Sequence, residues 1–175
     1  LINQSNTLSL TLYKHQSQTD NSKMPEVETQ IQQQIAGLKT LTDFYRQHDI
    51  SSDEDERLTL LAFDNIRKVE EKLPAFLASS RAHQDDVSLA LIEGEGGIGG
   101  AIRQLIADYQ KQLVVNINIS ESLRATNHKI FTSTLWGMGT GVTATIMLLG
   151  FYALVTIRRV RQSLLAIGNI MTVAS

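Results

Sequence analysis

The feature that most constrains this chain is a stretch without charge: no Asp, Glu, Lys or Arg lies between Lys129 and Arg158. Its apolar heart is Leu135 to Ile157, LWGMGTGVTATIMLLGFYALVTI. As a helix rising about 1.5 Å per residue it reaches roughly 35 Å, enough to cross a hydrocarbon core of about 30 Å with some tilt. Trp136 stands at one end and Tyr152 near the other, where amphipathic rings favour a membrane interface. Arg158, Arg159 and Arg161 follow at once, and the positive-inside rule puts that side in the cytoplasm. A buried core helix is the competing reading, and the uncharged length speaks against it. The position late in the chain and the flanking residues are wrong for a secretory signal. Gly137 and Gly141 form a GxxxG step, suited to close helix approach or incidental in a membrane helix.

Charge divides the chain in the same way. Up to Ile157 it carries thirteen Lys and Arg against eighteen Asp and Glu, and no acid follows Glu121. An acidic part and a basic tail suggest two environments. With no cysteine, neither a disulfide nor a thiolate metal site can hold the fold. An outward-facing part needs a way across the membrane, and Leu1 opens no apolar run, so an earlier membrane helix is expected upstream.

The remainder reads as four helical segments. The first runs from about Ile2 to Thr19, with Leu1, Leu8, Leu12 and His15 on one stripe. Pro25 suits an early position of the second, which runs to about His48 with Val27, Ile31, Leu38, Leu41 and Tyr45 at heptad-like spacing. Ser51 and Glu54 have capping-box spacing at the start of the third, whose stripe is Leu58, Leu61, Ala62, Asn65, Val69, Leu73, Phe76 and Leu77, with Pro74 as a possible bend. The fourth begins near Gly100, carries Ile102, Leu105, Tyr109, Asn116, Ile119, Leu123 and Ile130, and meets no breaker before the apolar run. Short connections imply an all-α, antiparallel up-down four-helix bundle. Gln34, Asn65, Gln112 and Asn116 fall at core-like positions, where polar groups fix register or permit shifts, or simply hold water.

Other motifs carry little. Gly94–Gly99 matches GxGxxG, but the preceding DDVSLALIE is a weak strand at best and no βαβ unit surrounds it, so a flexible glycine turn is expected there. Asp53, Asp55 and Arg57 do not continue as a calcium loop. His15, His48, His83 and His128 lack ligand spacing, and no catalytic arrangement can be argued. Neither an enzymatic site, a cofactor, a metal nor nucleic-acid binding is expected. In an up-down bundle Lys14, His15, Arg81, His83 and Arg103 gather in the membrane-distal half. That is either an anion or carboxylate site or ordinary surface charge balanced by Asp85, Asp86, Glu93 and Glu95. Gly97 to Ile102 also resembles a GYGGxIH segment of some bacterial sensor proteins, with Arg103 in place of its His.

The most specific segment is the tail, Arg158 to Ser175. It resembles the first helix of a HAMP domain: basic residues after a membrane helix, Ser163-Leu164 at the position of Pro-Leu, and a seam of Val160, Leu164, Ile167, Met171 and Ala174 stepping by four and three. With the bundle before it, the chain resembles the four-helix sensor regions of methyl-accepting chemotaxis proteins, and similar bundles occur in sensor histidine kinases and membrane diguanylate cyclases. The resemblance implies a homodimer in the bacterial inner membrane. Residues 1–134 would be a periplasmic sensor taking a small molecule or a periplasmic binding protein, 135–157 a transmembrane helix, and 158–175 the start of a HAMP domain. The expected activity is signal transduction without catalysis, most simply as a chemotaxis receptor. A kinase or cyclase output, or a non-signalling coiled-coil anchor, stays open.

Overall fold

The structure is a computed structural model that describes residues 1–173, with side chains to residue 162. It is all-helical, with no strand among the described residues. In chain order the helices are α1 (Ile2–Gln16), α2 (Met24–His48), α3 (Asp53–Arg81), α4 (Asp85–Glu93) and α5 (Ile98–Val173). The four expected helices are present. The segment read as a weak strand is instead the nine-residue helix α4. Asp85 and Asp86 complement its N-terminus, and Ser88 and Ile92, one turn apart, are buried. Alternation was therefore the wrong period for DDVSLALIE.

The chain divides into two compact units, Leu1–Glu121 and a second from Ser122 onward. In the first, one apolar core joins α1 to α4 and the start of α5. It holds Leu8 and Leu12, Val27, Ile31, Ile35 and Leu38, Ala62, Ile66, Val69, Leu73, Phe76 and Leu77, Ile92, and then Ile98, Ile102, Leu105 and Tyr109. Neighbouring helices run in opposite directions. Lys14 meets Gln30 while Thr11 meets Gln34 across α1 and α2, and Asn65 meets Asp108 while Asp55 meets Gln112 across α3 and α5. Two expected core residues lie outside: Leu41 is 40% exposed and Leu61 36%. The inward step from Leu38 is four residues, to Thr42, and the Leu60-Leu61-Ala62 run is apolar on every side, so spacing alone misjudges which residue faces in.

Local details differ from the motif reading in two places. The N-cap of α3 is Ser52, not Ser51: its side chain accepts from the Asp55 amide at 3.2 Å, while Ser51 donates to the Asp55 carboxylate. The Gly94–Gly100 segment contains no glycine with positive φ. Its glycines serve close approach instead. A methyl group on Gly97, Gly99 or Gly100 would overlap the backbone carbonyls of Leu91, Ile92 and Glu95 respectively. His83, in the α3–α4 turn, holds the positive φ, at 50°.

The unit from Ser122 onward is the remainder of α5. Up to residue 162 its large apolar residues are exposed apart from the half-buried Val155, Trp136 at 77% and Leu148 at 70%, and Leu123 and Ile130 of the expected fourth stripe are each 59% exposed. Among the described residues, one helix is long and apolar enough to cross a membrane. Thr132, Thr140, Thr143, Thr145 and Thr156 each donate to the carbonyl four residues earlier, at 2.9 Å.

Candidate functional site: a polar ladder inside the first unit

Asp55 lies one turn before Leu58 and Thr59, on the same inward face as Ala62, Asn65 and Ile66. A carboxylate in the first turn of a helix suits the positive end of the dipole, but this one is fully buried. It accepts from the Tyr45 hydroxyl at 2.8 Å, the Ser51 amide at 2.9 Å, the Ser51 hydroxyl at 2.8 Å and the Gln112 amide at 2.8 Å. Burial acts to raise the Asp55 pKa. The donors from Ser51, Tyr45 and Gln112 outweigh it and hold the carboxyl below its usual value. Gln112 also reaches Thr59 Oγ1 at 2.7 Å, and Asn116 donates to the Tyr45 oxygen at 2.6 Å. Burial and the neighbouring Asp55 push Tyr45 up to about 12, so its hydroxyl stays a donor.

Further rungs continue along α5. Thr42 donates to Leu38 O at 2.7 Å, which leaves the Tyr109 hydroxyl to donate to Thr42 Oγ1 at 2.5 Å; burial raises Tyr109 to about 12. Asn65 donates to Asp108 Oδ2 at 2.7 Å, and Gln104 to Asp108 Oδ1 at 3.1 Å. Every one of these groups lies inside the first unit. A cavity of roughly 420 Å³ opens onto the ladder, lined by Tyr45, Tyr109, Gln112, Leu113, Asn116 and the first residues of α1. Of the four polar positions expected in the core, Asn65, Gln112 and Asn116 are rungs of this ladder. Gln34 donates to Thr11 Oγ1 at 3.0 Å, while its own buried Oε1 has no partner.

The five cationic residues expected to gather do so only in part. His15 is fully buried, with Nδ1 2.8 Å from Ser80 Oγ and Nε2 3.2 Å from Glu28 Oε1. Arg81 forks onto both oxygens of the same Glu28 and holds that carboxyl below its usual value; His15 adds to the effect. Lys14 only reaches Gln30 Oε1, at 3.4 Å on the surface. His83 is exposed in its turn. Arg103 is engaged elsewhere: it donates to the carbonyls of Ile92, Glu93 and Gly94 at 3.0, 2.7 and 3.2 Å, closing the C-terminus of α4. The acid that compensates Arg81 is Glu28, not one of the four acids nearby in sequence.

Tyr45 was expected only as a stripe residue and Asp55 only as part of a helix start, and Asp108 drew no reading, so the ladder role of all three was missed. The available signal was position: Asp55 precedes Thr59 and Ala62 by four and seven residues, and both of those face inward. Of the seam expected in the tail, Val160 is 53% exposed. Leu164, Ile167 and Met171 fall where side chains are outside the described set, and Ala174 lies outside the described residues. Compared with family models, curated proteins and solved structures, the chain matches none.

Proposed function

We infer that this chain senses a solute on one side of a membrane and passes the change across it. In this reading α1, α2, α3 and the start of α5 form an up-down four-helix sensor bundle, Leu135–Ile157 crosses the bacterial inner membrane, and the residues from Arg158 begin a cytoplasmic HAMP helix. The observation that supports it best is α5 itself. One unbroken helix, Ile98–Val173, carries the buried polar groups Asp108 and Gln112 and then an exposed charge-free apolar run that ends at three arginines. Rungs such as Asp55–Gln112 and Asn65–Asp108 tie that helix to α3 by directional bonds, which have discrete partners. A ligand that favours one set of partners over another biases two packings, and α5 transmits the difference. The chain acts here by binding, as the sensor of a chemotaxis-type receptor that works as a homodimer.

Topology is the direct test. With a membrane helix supplied upstream of Leu1, an alkaline phosphatase fusion after Glu93 is expected to be active and one after Ser175 inactive. The opposite pattern removes the orientation and with it the sensor reading.

A further inference from the structure

A second cavity, of roughly 590 Å³, lies between the middle of α3 and the first turns of α5. Its volume is in the range of small-molecule sites. Asn65, Lys68 and Lys72 line it from α3, Arg103 and Gln104 from α5, and Glu95 from the connection before α5. We propose that this cleft binds a small oxyanion carrying two or more negative charges.

Charge is the first argument. Lys68 and Lys72 stand one turn apart on the same face, an arrangement in which like charges destabilise a helix. Among the described residues neither they nor Arg103 has a carboxylate within ion-pair distance, which is equally true of Lys14, Arg46, Arg124 and Lys129; what sets the three apart is that they share one cleft. Three cations therefore face one cleft against a single wall carboxylate, Glu95.

Positioning is the second. Each cation is held by a neutral acceptor: Lys72 Nζ by Gly96 O at 2.6 Å, Lys68 Nζ by Asn65 Oδ1 at 3.1 Å, and Arg103 by the three carbonyls that end α4. These bonds fix the side chains without neutralising them. They also leave donors over, since an ammonium has three and a guanidinium five. Asp108, whose charge would oppose an anion, is 2% exposed and is occupied by Asn65, Gln104 and Lys111. Gly100 and Ala101, in the first turn of α5, line the cleft without bulk, so the positive end of the helix dipole adds to the field there.

Two poles set the ligand class. The lysine pair on α3 and the N–H donors that Arg103 keeps free on α5 meet separate negative groups, which favours a di- or tricarboxylate; inorganic phosphate offers the same chemistry in one centre. An anion spanning both poles draws α3 and α5 together beside the Asn65–Asp108 rung. That consequence rests on the sensor reading, while the binding does not.

The test is titration calorimetry on the detergent-solubilised chain with succinate, citrate and inorganic phosphate, using sodium chloride at matched ionic strength as the blank. At least one of the three is expected to bind. The Lys68→Gln/Lys72→Gln variant, which removes both ammonium charges and keeps a side-chain donor at each position, should weaken binding tenfold or more with the helix signal in circular dichroism unchanged, and Arg81→Gln should leave it within twofold. Glu95→Gln should tighten it. Citrate or succinate bound in preference to phosphate identifies an organic ligand, and the reverse an inorganic one; either supports the site. Absence of binding by all three at millimolar concentration overturns it, as does equal affinity in the double lysine variant. Since the topology fusions report orientation independently, a failed titration with a correct topology removes the site and keeps the receptor.

Discussion

The two ends of α3 are built from different chemistry. Its last turns contribute Leu73, Phe76 and Leu77 to a core shared with Leu8, Leu12, Ile92 and Ile98. Its first turns contribute Asp55 and Thr59, which meet Tyr45 and Gln112. Dispersion and burial at the apolar end are non-directional and scale with the area removed from water. At the polar end each group needs a specific partner, and a lost partner leaves a desolvated donor or acceptor. Packing dominates the first end, where the His15–Ser80 bond is the directional contact, and directional bonds dominate the second. In the sensor reading, the packed end would hold the shape of the helix and the polar end would be where a change of state shows.

The apolar end gives the largest expected effect. Phe76 is fully buried, and Phe76→Ala removes its ring with little prospect of collapse in a dense core. A loss of about 3–5 kcal/mol is expected, with no dependence on pH between 4 and 8, read by urea unfolding followed by circular dichroism. A loss well below that range would show that the neighbouring side chains, among them the His15 ring 5.7 Å from that of Phe76, collapse into the space it leaves.

The polar end is expected to lose about 2–3 kcal/mol at pH 7 in Asp55→Ala, and less in Asp55→Asn, which keeps an acceptor for Tyr45 or Ser51. Its signature is the pH profile. The folded pKa of Asp55 is depressed, so its stabilisation is fully present above the unfolded value of about 3.9 and is lost as pH falls through the folded value. The stability difference between wild type and Asp55→Asn should therefore shrink as pH drops from 5 toward 2. A constant difference over that range would mean that the carboxylate is not the charged acceptor of the ladder.

The smallest effect sharpens the contrast from a third place. Gln34 brings a buried oxygen without a partner into the layer it shares with Thr11 between α1 and α2. Gln34→Met keeps the volume, gives up one hydrogen bond to Thr11 and removes the orphan, so stability should be unchanged or rise by about 1 kcal/mol or less. A clear loss would place a water on that oxygen and assign the layer to the ladder.

Helix content and the apolar run were legible in the sequence because both depend on local spacing and on charge. Asn65, Gln112 and Asn116 were also legible as polar residues at inward positions. What they bond to was not: Asp108 is 43 residues from Asn65, and Gln112 is 57 from Asp55, so the partners appear only when the helices are set side by side. The same holds for the cations. Lys14, His15 and Arg81 were chosen for closeness at one end of an assumed bundle, yet Glu28 already compensates Arg81 and touches His15. Lys68 and Lys72 drew no reading from the sequence because the opposing wall, Arg103 and Gln104, belongs to another helix. The glycine segment was misread for a related reason, since a steric limit set by the Leu91 and Ile92 carbonyls leaves no mark in a motif.

The back-bonded threonines of α5 bear on how a span of this kind moves. In hydrocarbon a hydroxyl without an acceptor is costly, and helices commonly answer that cost with a polar neighbour that fixes which way each face points. Thr140, Thr143, Thr145 and Thr156 answer it within their own helix, each sealed onto a carbonyl one turn back. If the run lies in lipid, these four threonines then add no unpaired hydroxyl to its surface. In the sensor reading such a helix can turn or slide by small amounts without any of these hydroxyls losing its acceptor, which leaves the ladder as the part whose bonds a signalling motion would have to exchange.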